Sequence, residues 1–153
     1  NTAPYEPDMG REYTRFVLYE MSDGTLGNFP WWLSEGIVEF GGQHFGTLSQ
    51  RNRVLRGIAA LSLAPENAEE QLFDWGNLAE EPVSMLSEHR ERAVQQAYTL
   101  VHYITEAYGE EQRNAWIKAI ATDQTLENAT EEQFGISFDA LDAAWRDWLP
   151  SQL

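Results

Sequence analysis

At 153 residues, with 42% hydrophobic content that includes six Trp and seven Phe, the chain has the length and apolar mass for one domain with a substantial core. Its 25 acidic residues against ten basic ones give a net charge of −15, which repels nucleic acid and anionic membranes, and no apolar run is long enough for a membrane-spanning helix. Cysteine is absent, which excludes disulfides and thiolate metal sites and leaves the compartment open.

The chain begins at Asn1 rather than Met, as a mature or excised fragment would, and shows no signal-peptide pattern. Residues 1–9, NTAPYEPDM, contain two Pro and no period and predict an extended lead-in. A first helix is predicted over 10–21, with Tyr13, Phe16, Val17 and Tyr19 as a broad apolar face. Ser22, Asp23 and Gly24 end it, glycine supplying a left-handed cap. Pro30 sits near the first turn of a second helix, which Trp31, Leu33, Ile37 and Phe40 bury on one side and Gly41 and Gly42 stop. Residues 43–48 predict a loop holding His44.

A third helix is predicted over 49–63. Its Arg51, Arg53 and Arg56 form the densest positive cluster in the chain and read as a solvated or salt-bridging face. Residues 69–75 suggest a short helix and 76–83 a loop. The longest helix is predicted over 85–108, where Ala93, Ala97, Leu100, Val101 and Ile104 recur at helical spacing, with Gly109 as its cap. Helices over 110–122 and 126–134 follow, the second ended by Gly135. Ser137 caps a last helix through Leu149, and Pro150 stops it. There is no phosphate-binding loop, no GxSxG and no strand alternation. The expected fold is mainly α, a single multi-helix domain over 10–150 with about six to eight helices.

The stretch REYTRFVLYEMSDGTLGNFPWWLSEGIVEF, from Arg11 to Phe40, carries the most chemistry. Arg11 and Arg15 share one face of the first helix, and Glu35 and Glu39 share one face of the second. WLSEGIVEF resembles the glutamate helix of gluzincin metallopeptidases, in particular the peptidase MA-like group. QAYTLVHYI resembles a later Tyr-containing helix of that group, and GISFDALDAAWRDWL its closing segment. The likeness spans Arg11 to Leu149.

That resemblance implies a helix bearing HExxH upstream of the glutamate helix. Two His and the later Glu would bind zinc there, with the Glu of HExxH as general base. Arg11-Glu12-Tyr13-Thr14-Arg15 occupies that place, with nineteen residues between Arg15 and Glu35. It implies Glu12 in the general-base position and Tyr98 or His102 as an oxyanion-steadying donor. It further implies a small upstream sheet, a cleft for peptide or protein, and an extracytoplasmic setting.

The departure is that both presumed zinc ligands are arginines. A guanidinium keeps its proton and has no lone pair to offer, so Arg11 and Arg15 repel a dication. Two arginines and one glutamate nonetheless carry the same net charge as a dication, two neutral imidazoles and one glutamate. The expectation is that guanidinium groups replace the metal and tie the first helix to Glu35, with Glu12 also paired to an arginine and no cofactor bound.

Three functions follow. The first is a peptidase-like domain that has lost zinc and hydrolysis and retains a structural or peptide-binding role. The second is a variant of an active zinc peptidase whose ligand histidines were replaced. The third is an anion-binding module gripping a carboxylate or phosphate with Arg11 and Arg15, beside Glu35 and Glu39.

Overall fold

Helix α1 covers Glu6–Met21, α2 Trp31–His44 and α3 Leu48–Ser62; α4 covers Ser87–Tyr108, α5 Glu110–Ala121, α6 Leu126–Phe134 and α7 Phe138–Trp148. Short 3₁₀ turns lie at Trp75–Leu78 and Leu149–Gln152. The computed structural model describes residues 6–26 and 28–153, and among them there is no strand. The domain is a single helical body, as the sequence predicts.

Most helix ends follow local chemistry. Gly135 at φ 72° takes the left-handed conformation that closes α6, and after α1 both Asp23 at φ 53° and Gly24 at φ 79° have positive φ, the Gly24 amide donating back to the Tyr19 carbonyl at 2.7 Å. The Ser137 side chain accepts from the Ala140 amide and starts α7. Thr47 and Gln50 form a reciprocal capping box at the head of α3.

Several sequence expectations are corrected. Residues 6–9 belong to α1 rather than to an extended lead-in, and residues 1–5 lie outside the described residues. Pro7 falls in the first turn, where its missing N–H is no loss, and Glu6 and Asp8 complement the positive helix end. Trp75 opens the first 3₁₀ turn, and residues 69–74 are not helical. Their backbone is held instead by Gln96 of α4, a fully buried side chain that accepts from the Phe73 amide at 2.8 Å and donates to the Phe73 carbonyl at 3.1 Å. The 76–83 stretch is not all loop, since the 3₁₀ turn reaches Leu78.

The apolar face predicted for α1 does not point inward. Tyr13 and Phe16 are 70% and 60% exposed, and Tyr19 is exposed too. The face turned to α2 carries small or polar residues, with Leu18 as its buried apolar anchor.

Gly41 and Gly42 do not stop α2; they lie inside it. A Cβ on Gly41 would sit 1.9 Å from Thr14 Oγ1, and one on Gly42 would sit 2.6 Å from Arg11 Cγ. These positions therefore bring α1 against α2. On the opposite flank Gly36 admits α4, where a Cβ would lie 2.7 Å from Ala97 Cβ and 2.9 Å from its carbonyl carbon.

The core is built on tryptophan. Trp32 of α2 packs on Trp75 with ring centroids 4.2 Å apart, and Trp75 on Trp145 at 5.3 Å. The indole N–H groups of Trp75, Trp116 and Trp145 donate to Asp142 Oδ1, Thr130 Oγ1 and Thr99 Oγ1, so their burial leaves no orphaned donor. α2 thus lies in the middle, gripped by α1 and α4.

Gly36→Ala is expected to lower unfolding free energy by about 1–3 kcal/mol, because the Ala97 backbone cannot yield to the new methyl. Gly57→Ala has open space around the added carbon and should raise stability by up to about 1 kcal/mol through helix propensity. Chemical denaturation of the two variants measures the contrast; equal effects would show that the α2–α4 contact is not as close as described.

Candidate functional site

The glycine contact sets the register of α1 against α2, and the two run antiparallel. Arg11 therefore falls opposite Glu39, and Arg15, one turn on, opposite Glu35. Arg11 Nε donates to Glu39 Oε2 at 2.9 Å and Nη2 to Glu39 Oε1 at 3.0 Å, a two-pronged fork. Its Nη1 donates to Asp8 Oδ1 at 2.7 Å. Arg15 Nη1 donates to Glu35 Oε1 at 3.2 Å.

The expectation that both arginines tie to Glu35 is thus corrected for Arg11. In an antiparallel pair, stepping four residues along one helix steps four back along the other, so one carboxylate cannot face both arginines equally. Asp8 and Gln43 complete the ladder and were not anticipated. Gln43 Nε2 donates to Glu39 Oε1 at 3.0 Å. Their spacing, Asp8 three residues before Arg11 and Gln43 four after Glu39, is the signal that could have found them.

The two pairs differ in solvation. The Glu39 side chain is 14% exposed and Arg11 31%, while Glu35 and Arg15 are 23% and 41% exposed. The hydrogen bonds to Glu39 raise the Arg11 pKa above its ordinary value against the opposing effect of burial. Both guanidiniums already hold carboxylates of their own chain, so an external anion would have to displace Glu35 or Glu39.

Glu12 lies outside the ladder. It is exposed and has no hydrogen bond or ion pair among the described residues, so the expected pairing with an arginine does not occur. Tyr98 and His102 are on α4, beyond α2, with ring centroids 6.0 Å apart. Tyr98 is 1% exposed and packs on Phe40. Burial pushes its hydroxyl up to about 12, with Glu39 adding to the rise and Arg51 opposing it. Burial lowers the His102 pKa; Glu106, 3.7 Å away, opposes that shift and Arg51 reinforces it.

The donor set does not fit zinc. Arg11 and Arg15 have no lone pair to give, and Glu35 and Glu39 are each engaged by a guanidinium. Among the described residues no three His, Asp or Glu side chains converge as a metal site. His44 ends α2, His89 lies in the first turn of α4 and His102 farther along the same helix, and they do not form a cluster.

In comparison with known proteins, the family model described as the Peptidase MA superfamily matches residues 8–151. Neither the curated proteins nor the solved structures yield a match.

A double-mutant cycle on Arg11→Gln and Glu39→Gln should give a coupling of about 1–2 kcal/mol, as expected for a charged two-pronged pair. The Arg15→Gln and Glu35→Gln cycle should give about 0.2–1 kcal/mol, the range of exposed pairs. Denaturant midpoints at low salt report both, and the reverse order would contradict the geometry.

Because the folded state holds the His102 pKa below the ordinary 6.5, its contribution to stability is full above about pH 6.5 and declines as the pH falls below that value. His102→Gln should flatten this limb in a stability-versus-pH series. An unchanged slope would show that His102 is not the group responsible.

Proposed function

This chain belongs to the Peptidase MA superfamily, and we propose that it is a non-hydrolytic member in which guanidinium–carboxylate pairs occupy the place of the metal. The observation that carries this reading is the Arg11–Glu39 fork beside the Arg15–Glu35 bond, at the positions that resemble HExxH and the later glutamate. With Glu39 present as well as Glu35, the two arginines are neutralised, whereas a dication with two imidazoles and one glutamate keeps a charge of +1. The chemistry differs too. A metal site keeps an open position where bound water loses a proton near neutral pH, and a guanidinium has no such position.

The position of Glu12 supports the same conclusion. It stands in the general-base place of the resembled motif, yet it is exposed and unpartnered among the described residues. Without a polarised water it has no nucleophile of matching strength to activate. The arginines instead act as fasteners: they fix α1 on α2 in one register and leave the rest of the domain for a structural or ligand-binding role. The alternative of an anion site on Arg11 and Arg15 has less support, since both already hold carboxylates.

Elemental analysis after equilibration with zinc, together with a fluorogenic peptide panel, tests this directly. The unaltered chain should retain no stoichiometric zinc and cleave nothing, whereas the folded Arg11→His and Arg15→His double variant should take up zinc. Stoichiometric zinc or zinc-dependent cleavage by the unaltered chain would overturn the proposal. Failure of the folded double variant to bind zinc would remove the link between these positions and a former metal site.

A further inference from the structure

Beside the ladder, α2, α3 and α4 enclose a cleft of about 280 Å³. Phe40, Leu55 and the Tyr98 ring give it apolar walls, and Gln43, Arg51 and His102 stand among its polar groups. Two of these lack what their chemistry demands. Tyr98 is almost wholly buried, no group among the described residues hydrogen-bonds its hydroxyl, and that oxygen is not sealed from solvent, so it is free to take a partner in the cleft. Arg51 is half-buried and makes no ion pair among the described residues; the one hydrogen bond of its side chain there runs from Nη1 to the Gln43 carbonyl at a long 3.5 Å.

An unpaired guanidinium is unexpected in a chain of net charge −15. Arg11, Arg15, Arg90, Arg92, Arg113 and Arg146 all reach a carboxylate. Among the described residues the three arginines of α3 do not, and of these Arg51 lines this cleft. Arg51, Tyr98 and His102 all line this one space, and the Arg51 charge acts on both rings. The carboxylate in the lining, Glu106, lies 3.7 Å from His102 Nε2.

We propose that this cleft binds a small monocarboxylate bearing an apolar group, with the carboxylate on Arg51 and the Tyr98 hydroxyl and the apolar group on Phe40 and Leu55. The guanidinium fork matches a carboxylate in shape and charge, and the Tyr98 O–H supplies a further donor. One guanidinium in so acidic a chain favours a monoanion over a phosphate. The volume lies near the lower limit of small-molecule sites, which suits a few-atom tail rather than a polymer. A free carboxylic acid and the C-terminal residue of a peptide share this chemistry. The inference is independent of hydrolysis, since the cleft uses neither Arg11 nor Arg15.

The test is an NMR titration of the intact chain with hexanoate, hexanamide and N-acetyl-leucine. Hexanoate or N-acetyl-leucine, or both, should shift the amides around Gln43, Arg51 and Tyr98 at millimolar concentration, and hexanamide should not. Preference between the two acids tells a free acid from a peptide end. Arg51→Gln should weaken binding by about tenfold or more, the loss expected for a charged pair. Tyr98→Phe keeps the ring and should weaken binding severalfold without lowering the melting temperature, while Arg53→Gln should leave binding unchanged. Equal binding of hexanamide, indifference to Arg51→Gln, shifts centred on Arg53 and Arg56, or no binding of either acid would each overturn the proposal. None of these outcomes bears on zinc or cleavage, so the two proposals fail separately.

Discussion

Two helices approach closely only where small residues occupy the crossing. In this domain that constraint is met at Gly10, Gly41 and Gly42, and the neighbouring geometry follows from it. Thr14 turns its hydroxyl back to the Gly10 carbonyl at 2.7 Å and fits against Gly41. Arg11 crosses Gly42 to reach Glu39. Gly36 does the corresponding work on the other flank, where Ala97 of α4 sits. A side chain on Gly41 or Gly42 would meet Thr14 or Arg11 and push α1 from its place on α2.

The ion pairs built on this contact act more on arrangement than on total stability. Arg15 and Glu35 are solvated enough that their attraction is modest. The Arg11–Glu39 fork is drier and shaped for two parallel bonds, so it fixes which residue faces which. Glu39 is the group most at risk if the fork is lost, because a poorly solvated carboxylate without its cation is costly. A metal in the same place would tie the helices together and also expose a reactive face. Guanidinium can do only the first.

The distribution of arginine extends the same logic to the second flank of α2. The chain has few cations and commits most of them to carboxylates that join separate elements or successive helical turns. α3 departs from that pattern, and its Arg51 opens on the cleft where the Tyr98 hydroxyl is unpartnered among the described residues. Gln43 belongs to both places: it bonds Glu39 in the ladder and also lines the cleft. The two regions are therefore neighbours along one helix, with distinct chemistry.

Local signals in the sequence were sufficient for much of the fold. Gly24, Gly109 and Gly135 mark helix ends, Ser137 marks a start, and the apolar spacing of α4 gives its length and buried face. The pairing of Arg11 with Arg15 and of Glu35 with Glu39 is also legible, because one helical turn separates the members of each pair. What the sequence could not supply was the neighbour. Gly41 and Gly42 read as a stop because composition cannot tell a break from a close crossing, and Tyr13 and Phe16 read as core because apolarity does not reveal which face meets another helix. The choice of Glu39 over Glu35 as the partner of Arg11 belongs to tertiary structure for the same reason: periodicity fixes directions around one helix axis, whereas register between two axes is fixed only by the side chains that touch.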